Sequence, residues 1–241
     1  VIALQTGNAA SAVDLIGQAL DPDPANADAL ANLGNAQQEQ NDLAGAENSY
    51  RRALELRPQS AETRSNLANT LMKQGKLDEA VEEYRSAIQI NPRMPQTHRS
   101  LGMVLHAQGR FLEALTALNQ AHQLDPKSVE TKGTIGNVLQ ELGRPEEAVQ
   151  FFRQVLAALP TSAPAHMNLA NSLRSAGETD EAIELLERAV ALDPENSSIL
   201  YNKGVALKDK GQFEAATDHL RGPPDNSCLL HDALHGGILE R

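Results

Sequence analysis

The sequence predicts an all-α solenoid of antiparallel helix hairpins, and three ladders in one register carry that prediction. Pro58, Pro92, Pro126, Pro160 and Pro194 recur every 34 residues, and Pro24 extends the series backward. Ala12, Ala46, Ala80, Ala114, Ala148, Ala182 and Ala216 keep the same step. So do Gly75, Gly109, Gly143, Gly177 and Gly211, with Gly7 and Asn41 in the earlier places. One period over nearly the whole chain marks a stack of identical supersecondary units. Composition agrees. Hydrophobic residues make up 41% of the 241 but aromatics only 3%, and Trp is absent. Such an Ala- and Leu-rich core suits closely packed helices better than a sheet.

Each ladder has a physical task. The glycine stops the first helix of a hairpin by entering the left-handed conformation, which Asn tolerates next best, as at Asn41. The proline ends the second helix, because it lacks an amide donor and restricts the residue before it. The alanine lets the partner helix approach closely. Gly34, Ala68, Gly102, Gly136, Ala170 and Gly204 supply the matching small surface on the first helices. Leu33, Leu67, Leu101, Ile135 and Leu169 fill the layer between.

In chain order, a partial repeat occupies 1–26 and complete repeats follow at 27–60, 61–94, 95–128, 129–162 and 163–196. Another partial repeat spans 197–221, and a tail runs from 222 to 241. Gly222, Pro223 and Pro224 interrupt the last second helix; Asp225 to Ser227 can cap a short capping or docking helix carrying Leu229, Leu230 and Leu234.

The stretch NLGNAQQEQNDLAGAENSYRRALELRP at 32–58 resembles the tetratricopeptide repeat (TPR), and the resemblance covers residues 1–221. It implies a right-handed superhelix whose first helices line the concave side. The aromatic usual at the fourth position is replaced by Leu30, Arg64, His98, Lys132, His166 and Leu200. The later large position keeps Tyr50, Tyr84 and Phe152 but takes Leu118, Leu186 and Leu220 elsewhere. Stability should then depend on neighbouring repeats covering one another.

The resemblance also places the sixth and ninth residues of each repeat in the groove. Those places hold Asn32 and Asn35, Asn66 and Asn69, Ser100 and Met103, Thr134 and Asn137, Asn168 and Asn171, then Asn202 and Val205. Asn costs a helix roughly 0.5–0.7 kcal/mol relative to Ala, so its recurrence needs a reason. A carboxamide both donates and accepts, so it can pair with the main chain of an extended peptide whatever the side chains. The groove of O-linked N-acetylglucosamine transferase is similar in this respect. The same amides can instead bridge adjacent first helices, and the sequence leaves both readings open.

In the third repeat Arg99, Met103 and His106 fall on one helical face, suited to an acidic or Leu-like side chain. The Lys-and-Asn carboxylate clamp of chaperone-binding TPR domains is not matched. The fifth positions read Ala31, Ser65, Arg99, Gly133, Met167 and Tyr201.

Other functions are disfavoured. A formal charge of −11 argues against nucleic acid, whose phosphates need clustered cations. No apolar run approaches the ~20 residues of a membrane span, so no membrane insertion is expected. The single cysteine, Cys228, excludes an internal disulfide; this fits the cytoplasm and equally a disulfide-free extracellular assembly. Phosphate-loop, dinucleotide and zincin motifs are missing, and no cofactor or metal is implied. His231 and His235 lack an evident third ligand. Acidic pairs such as Glu82–Glu83 and Glu146–Glu147 read as solvated faces.

The expectation is a non-enzymatic scaffold binding a protein or peptide segment. Two alternatives stand beside it. The unlike, incomplete ends expose Val1, Ile2 and Leu4 at one side and Leu229, Leu230 and Leu234 at the other, which suits a homo-oligomer or head-to-tail filament. The chain also reads as a piece of a longer product, such as the targeting arm of a TPR-containing glycosyltransferase.

Overall fold

The computed structural model describes residues 9–220, and every regular element among them is an α-helix. They are α1 (Ala9–Leu20), α2 (Ala27–Glu39), α3 (Leu43–Leu56), α4 (Ala61–Lys73), α5 (Leu77–Ile90) and α6 (Pro95–Ala107). Then come α7 (Phe111–Leu124), α8 (Val129–Glu141), α9 (Pro145–Ala158), α10 (Ala163–Ser175), α11 (Thr179–Leu192), α12 (Ser197–Asp209) and α13 (Phe213–Leu220). Even-numbered helices from α2 to α12 are the first members of their hairpins, and the following odd-numbered helices are the second members. The chain forms two compact units, Val1–Thr131 and Lys132–Arg241, whose boundary falls within α8.

The predicted turn chemistry is present. Asn41 has φ 62°, and Gly75, Gly109, Gly143, Gly177 and Gly211 are all at positive φ. At Gly75 the amide donates to the Met72 carbonyl, and the Lys76 amide reaches back to Leu71 at 2.9 Å. This pair of bonds satisfies carbonyls that the helix end would otherwise leave open. Arg110 to Leu105, Arg144 to Leu139 and Glu178 to Leu173 repeat the longer bond. Second helices end one residue before a non-helical cap, at Arg57, Asn91, Asp125, Leu159 and Asp193, with the ladder proline next.

A further ladder starts the first helices. The side chains of Asn26, Ser60, Ser162 and Asn196 each accept from the backbone amide three residues on, and Ser128 does the same for Thr131. Each such cap contributes typically ~1 kcal/mol. Met94 alone holds this place without a capping side chain.

Within a hairpin the helices meet at the small and large positions. Ala46, Ala80, Ala114, Ala148 and Ala182 are completely buried, as are Tyr50, Tyr84, Leu118 and Leu186. The Phe152 ring packs so closely on Gly136 that an added Cβ there would lie 2.6 Å from Cζ. Leu67, Leu101, Ile135 and Leu169 fill their layer as expected, whereas Leu33 is half-buried. Among the described residues, the hairpin before Leu33 contributes only α1 to cover it.

The fourth-position replacements do more than remove aromatic packing. Arg64 Nε donates to the Pro58 carbonyl at 3.2 Å, and its guanidinium meets Glu83 at 2.7 Å. His98 Nε2 lies 3.0 Å from the Pro92 carbonyl, and His166 Nδ1 lies 3.0 Å from that of Ser162. These side chains tie each first helix to the turn that precedes it. Glu83 is thus a half-buried ion-pair partner and not a solvated charge.

An added Cβ at Gly143 would meet open space, so its constraint is purely the backbone conformation at φ 66°. Gly143→Val should therefore lower the melting temperature, since the left-handed region costs a non-glycine residue ~1–2 kcal/mol and a β-branched one more. Gly143→Asn should be milder, as Asn41 occupies the same place. Thermal melts followed by helical ellipticity check this; equal melting temperatures for the two variants would contradict the assigned turn.

Candidate binding face on the first helices

First helices of neighbouring hairpins touch, α2 with α4 and α4 with α6 in one unit, and α10 with α12 in the other. Between α2 and α4 a sixth-position and a ninth-position side chain, Asn66 and Asn35, meet directly. Asn32, Asn35, Asn66, Asn69, Asn168, Asn171 and Asn202 are all partly buried, and Asn137 is exposed. None lies in the sealed interior.

In the first unit the carboxamides of Asn35, Asn66 and Asn69 are engaged. Tyr50 donates its hydroxyl to Asn35 Oδ1 at 2.7 Å, and Asn66 Nδ2 donates to the same oxygen at 3.0 Å. Tyr84 likewise donates to Asn69 Oδ1 at 2.6 Å. Burial pushes the Tyr84 hydroxyl up to about 12 and raises that of Tyr50 further, so both stay protonated donors across ordinary pH. One of these bonds crosses between first helices and two cross between the helices of a hairpin.

In the second unit the same positions behave differently. Phe152 and Leu186 stand where the tyrosines were and carry no hydroxyl. Asn171 Oδ1 is buried and accepts no hydrogen bond. The backbone oxygens of Asn168 and Asn171 accept from Ser172 and Ser175, but their carboxamides bond to nothing else among the described residues. Asn202 Nδ2 turns back to the Ser198 carbonyl at 2.8 Å.

The three residues singled out in the third repeat have different surroundings. Arg99 lines a polar cleft of about 260 Å³ with Gln96, Asp125, Ser128, Glu130 and Thr131. A backbone amide, the Ser128 hydroxyl and the Arg99 charge together hold the Glu130 carboxyl below its ordinary value. His106 packs its ring on Phe111 at 5.5 Å, tilted by 50°. Met103 alone presents an exposed apolar surface, at 41% accessibility.

Among the described residues, no three His, Cys, Asp or Glu side chains are grouped to hold a metal ion. No described helix is long and apolar enough to cross a membrane. Val1, Ile2, Leu4, Leu229, Leu230, Leu234, His231 and His235, and the tail helix, lie outside the described residues.

The tyrosine donors are the feature of this face that sequence reasoning missed. A signal for them existed. Each tyrosine follows its asparagine by 15 residues. Where the ninth position is Met103 or Val205, the corresponding large residue is Leu118 or Leu220.

Comparison with known proteins agrees with this geometry. A family model described as TPR repeat matches residues 38–75, 68–109 and 170–211, and one described as tetratricopeptide repeat matches 93–161. Together they cover more than half of the chain, which belongs to the tetratricopeptide-repeat family. Neither model describes a catalytic domain. No curated protein matches the chain closely enough to count as a relative.

Solved structures share the fold. YrrB, a TPR protein described as having an unusual peptide-binding site, superposes with a TM-score of 0.67 at 23% identity over 79% of this chain and 98% of its own. Pseudomonas aeruginosa pilF gives 0.67 at 24% identity over 90% and 95%. MamA from Desulfovibrio magneticus RS-1 gives 0.63 at 23% over 66% and 90%. The fold fits a protein–protein interaction scaffold; TPR proteins bind protein or peptide partners.

The two ladders should respond oppositely to truncation. Replacing Asn66 and Asn69 with Ala removes the bridge to Asn35 and the Asn69 acceptor of the buried Tyr84 hydroxyl, leaving that hydroxyl only Ser100 beside it, which should cost about 1–3 kcal/mol. Replacing Asn168 and Asn171 should hold or raise stability, because Ala is the better helix former. Urea melts of the two double variants decide; equal destabilisation would show that the second ladder is also structural.

Proposed function

We propose that the chain is a non-enzymatic interaction scaffold that holds an extended partner segment along its first helices. The supporting observation is the recurrence of half-exposed carboxamides at the sixth and ninth positions, kept despite their cost to helix formation. An amide can donate to a main-chain carbonyl and accept from a main-chain N–H, so a row of them holds backbone with weak sequence preference. The similarity to the groove of O-linked N-acetylglucosamine transferase rests on this chemistry. The peptide-binding site of YrrB, on the same fold, supports the reading.

Panning a random dodecapeptide phage library against the purified chain tests the proposal. Selected peptides should lose about 1 kcal/mol of affinity for each deleted bond in the Asn168→Ala, Asn171→Ala variant. They should bind the Glu184→Ala variant unchanged, since Glu184 is exposed on the second helix α11. Peptides indifferent to the asparagines would place binding elsewhere.

A further inference from the structure

The ladder is not uniform, and one chemical difference separates its parts. Asn69 Oδ1 is held by the hydroxyl of Tyr84. Asn171 is its counterpart three repeats on; its oxygen is buried and unpaired, and the large residue of its hairpin is Leu186. Leu186 fills the volume and offers no proton. Asn35 accepts from Tyr50 and from Asn66. Its counterpart Asn137 is exposed, with Phe152 in the tyrosine's place and no bond from Asn168 among the described residues.

A second difference runs beside the first. The fifth positions of the first unit are small or polar, and Ser65 is buried against Thr97 at 3.0 Å. In the second unit they are Gly133, Met167 and Tyr201. A Cβ at Gly133 would meet open space, and Tyr201 is 45% exposed. Met167 and Asn171 are four apart on one helix, so they share a face.

We propose that the large residue of each second helix decides whether the ninth-position amide of its hairpin is available. Asn35 and Asn69 are closed by tyrosine, while Asn137 and Asn171, with Asn168 beside them, are left to bind the main chain of an extended segment. An apolar side chain of that segment lies over Met167 and Tyr201. The inference rests on the scaffold reading above and narrows it to residues 129–201. An amide oxygen that already accepts from a tyrosine, and at Asn35 from a second donor as well, gains less from a ligand N–H. One that is buried and unpaired pays its desolvation cost in the free protein, so a ligand donor removes a penalty as well as forming a bond.

Side-chain amide resonances of the full ¹⁵N-labelled chain read this directly, with acetyl-Ala-Leu-Ala-Leu-Ala-amide as probe. The expected result is movement of the Asn137, Asn168 and Asn171 signals while those of Asn35 and Asn69 stay still. Leu186→Tyr should abolish the movement at Asn171 and raise the melting temperature. Ala68 accommodates Tyr84 in its own hairpin, so Ala170 can accommodate the new ring. Tyr84→Phe is the reverse variant, and it should make Asn69 responsive, so the test does not hang on Leu186→Tyr folding. Replacing the probe's leucines with serine should weaken binding, and equal binding would remove Met167 and Tyr201 from the site. Equal movement at all five asparagines would overturn the division while leaving the scaffold reading intact. Movement at none would overturn both.

Discussion

The contact between the small residue of each first helix and the large residue of its partner is the constraint on which the rest depends. Gly34 under Tyr50, Gly102 under Leu118 and Gly136 under Phe152 set how far each helix pair can close. Once that distance is set, the left-handed turn at Asn41, Gly109 or Gly143 must return the chain in a fixed register, and the next proline must release it. A protein interior is too closely packed to absorb a change at one of these places without moving a neighbour. The large residue also reaches past the contact. Where it is tyrosine its hydroxyl ends on the ninth-position amide, so packing and polar chemistry on the binding face are set by one side chain.

Neighbouring hairpins add weaker ties on the other side. Arg51 to Glu79, Arg85 to Glu113 and Arg153 to Glu181 repeat the same link between successive second helices. Asn119 holds the arginine's place in the repeat at 95–128, and Glu147 pairs with Arg144 of its own hairpin. These pairs are exposed, and each contributes little, typically ~0.2–1 kcal/mol. They align the repeats more than they hold them. Apolar coverage between neighbours carries the stability, as expected for a quasi-one-dimensional array.

The hairpins, their turns and their step were legible because each follows from a backbone restriction written at a single position. Glycine and asparagine permit a left-handed residue, and proline forbids a helical hydrogen bond; neither depends on a distant partner. The capping residues Ser60, Ser162 and Asn196 keep the same period and were equally readable, but short polar residues before a helix resemble ordinary loop composition. The state of the binding face was not legible in the same way. Asn69 and Asn171 are identical as letters and differ only through Tyr84 and Leu186, 15 residues further on. Reading those large positions as packing alone hid their second role. Arg64 and His98 were obscured similarly, since each replaces an aromatic yet bonds a carbonyl six residues back.

The central claim is that the ninth-position amides of the candidate binding face are governed by the large residue of the second helix. A pair of double-mutant cycles measures this most directly. One combines Tyr84→Phe with Asn69→Ala, and the other combines Leu186→Ala with Asn171→Ala. The account predicts a coupling energy of about 0.5–3 kcal/mol for the first pair, whose atoms are hydrogen-bonded. For the second it predicts additivity to within about 0.5 kcal/mol. Equal coupling in both cycles would contradict it, because the tyrosine hydroxyl would then not be what separates the closed amides from the open ones.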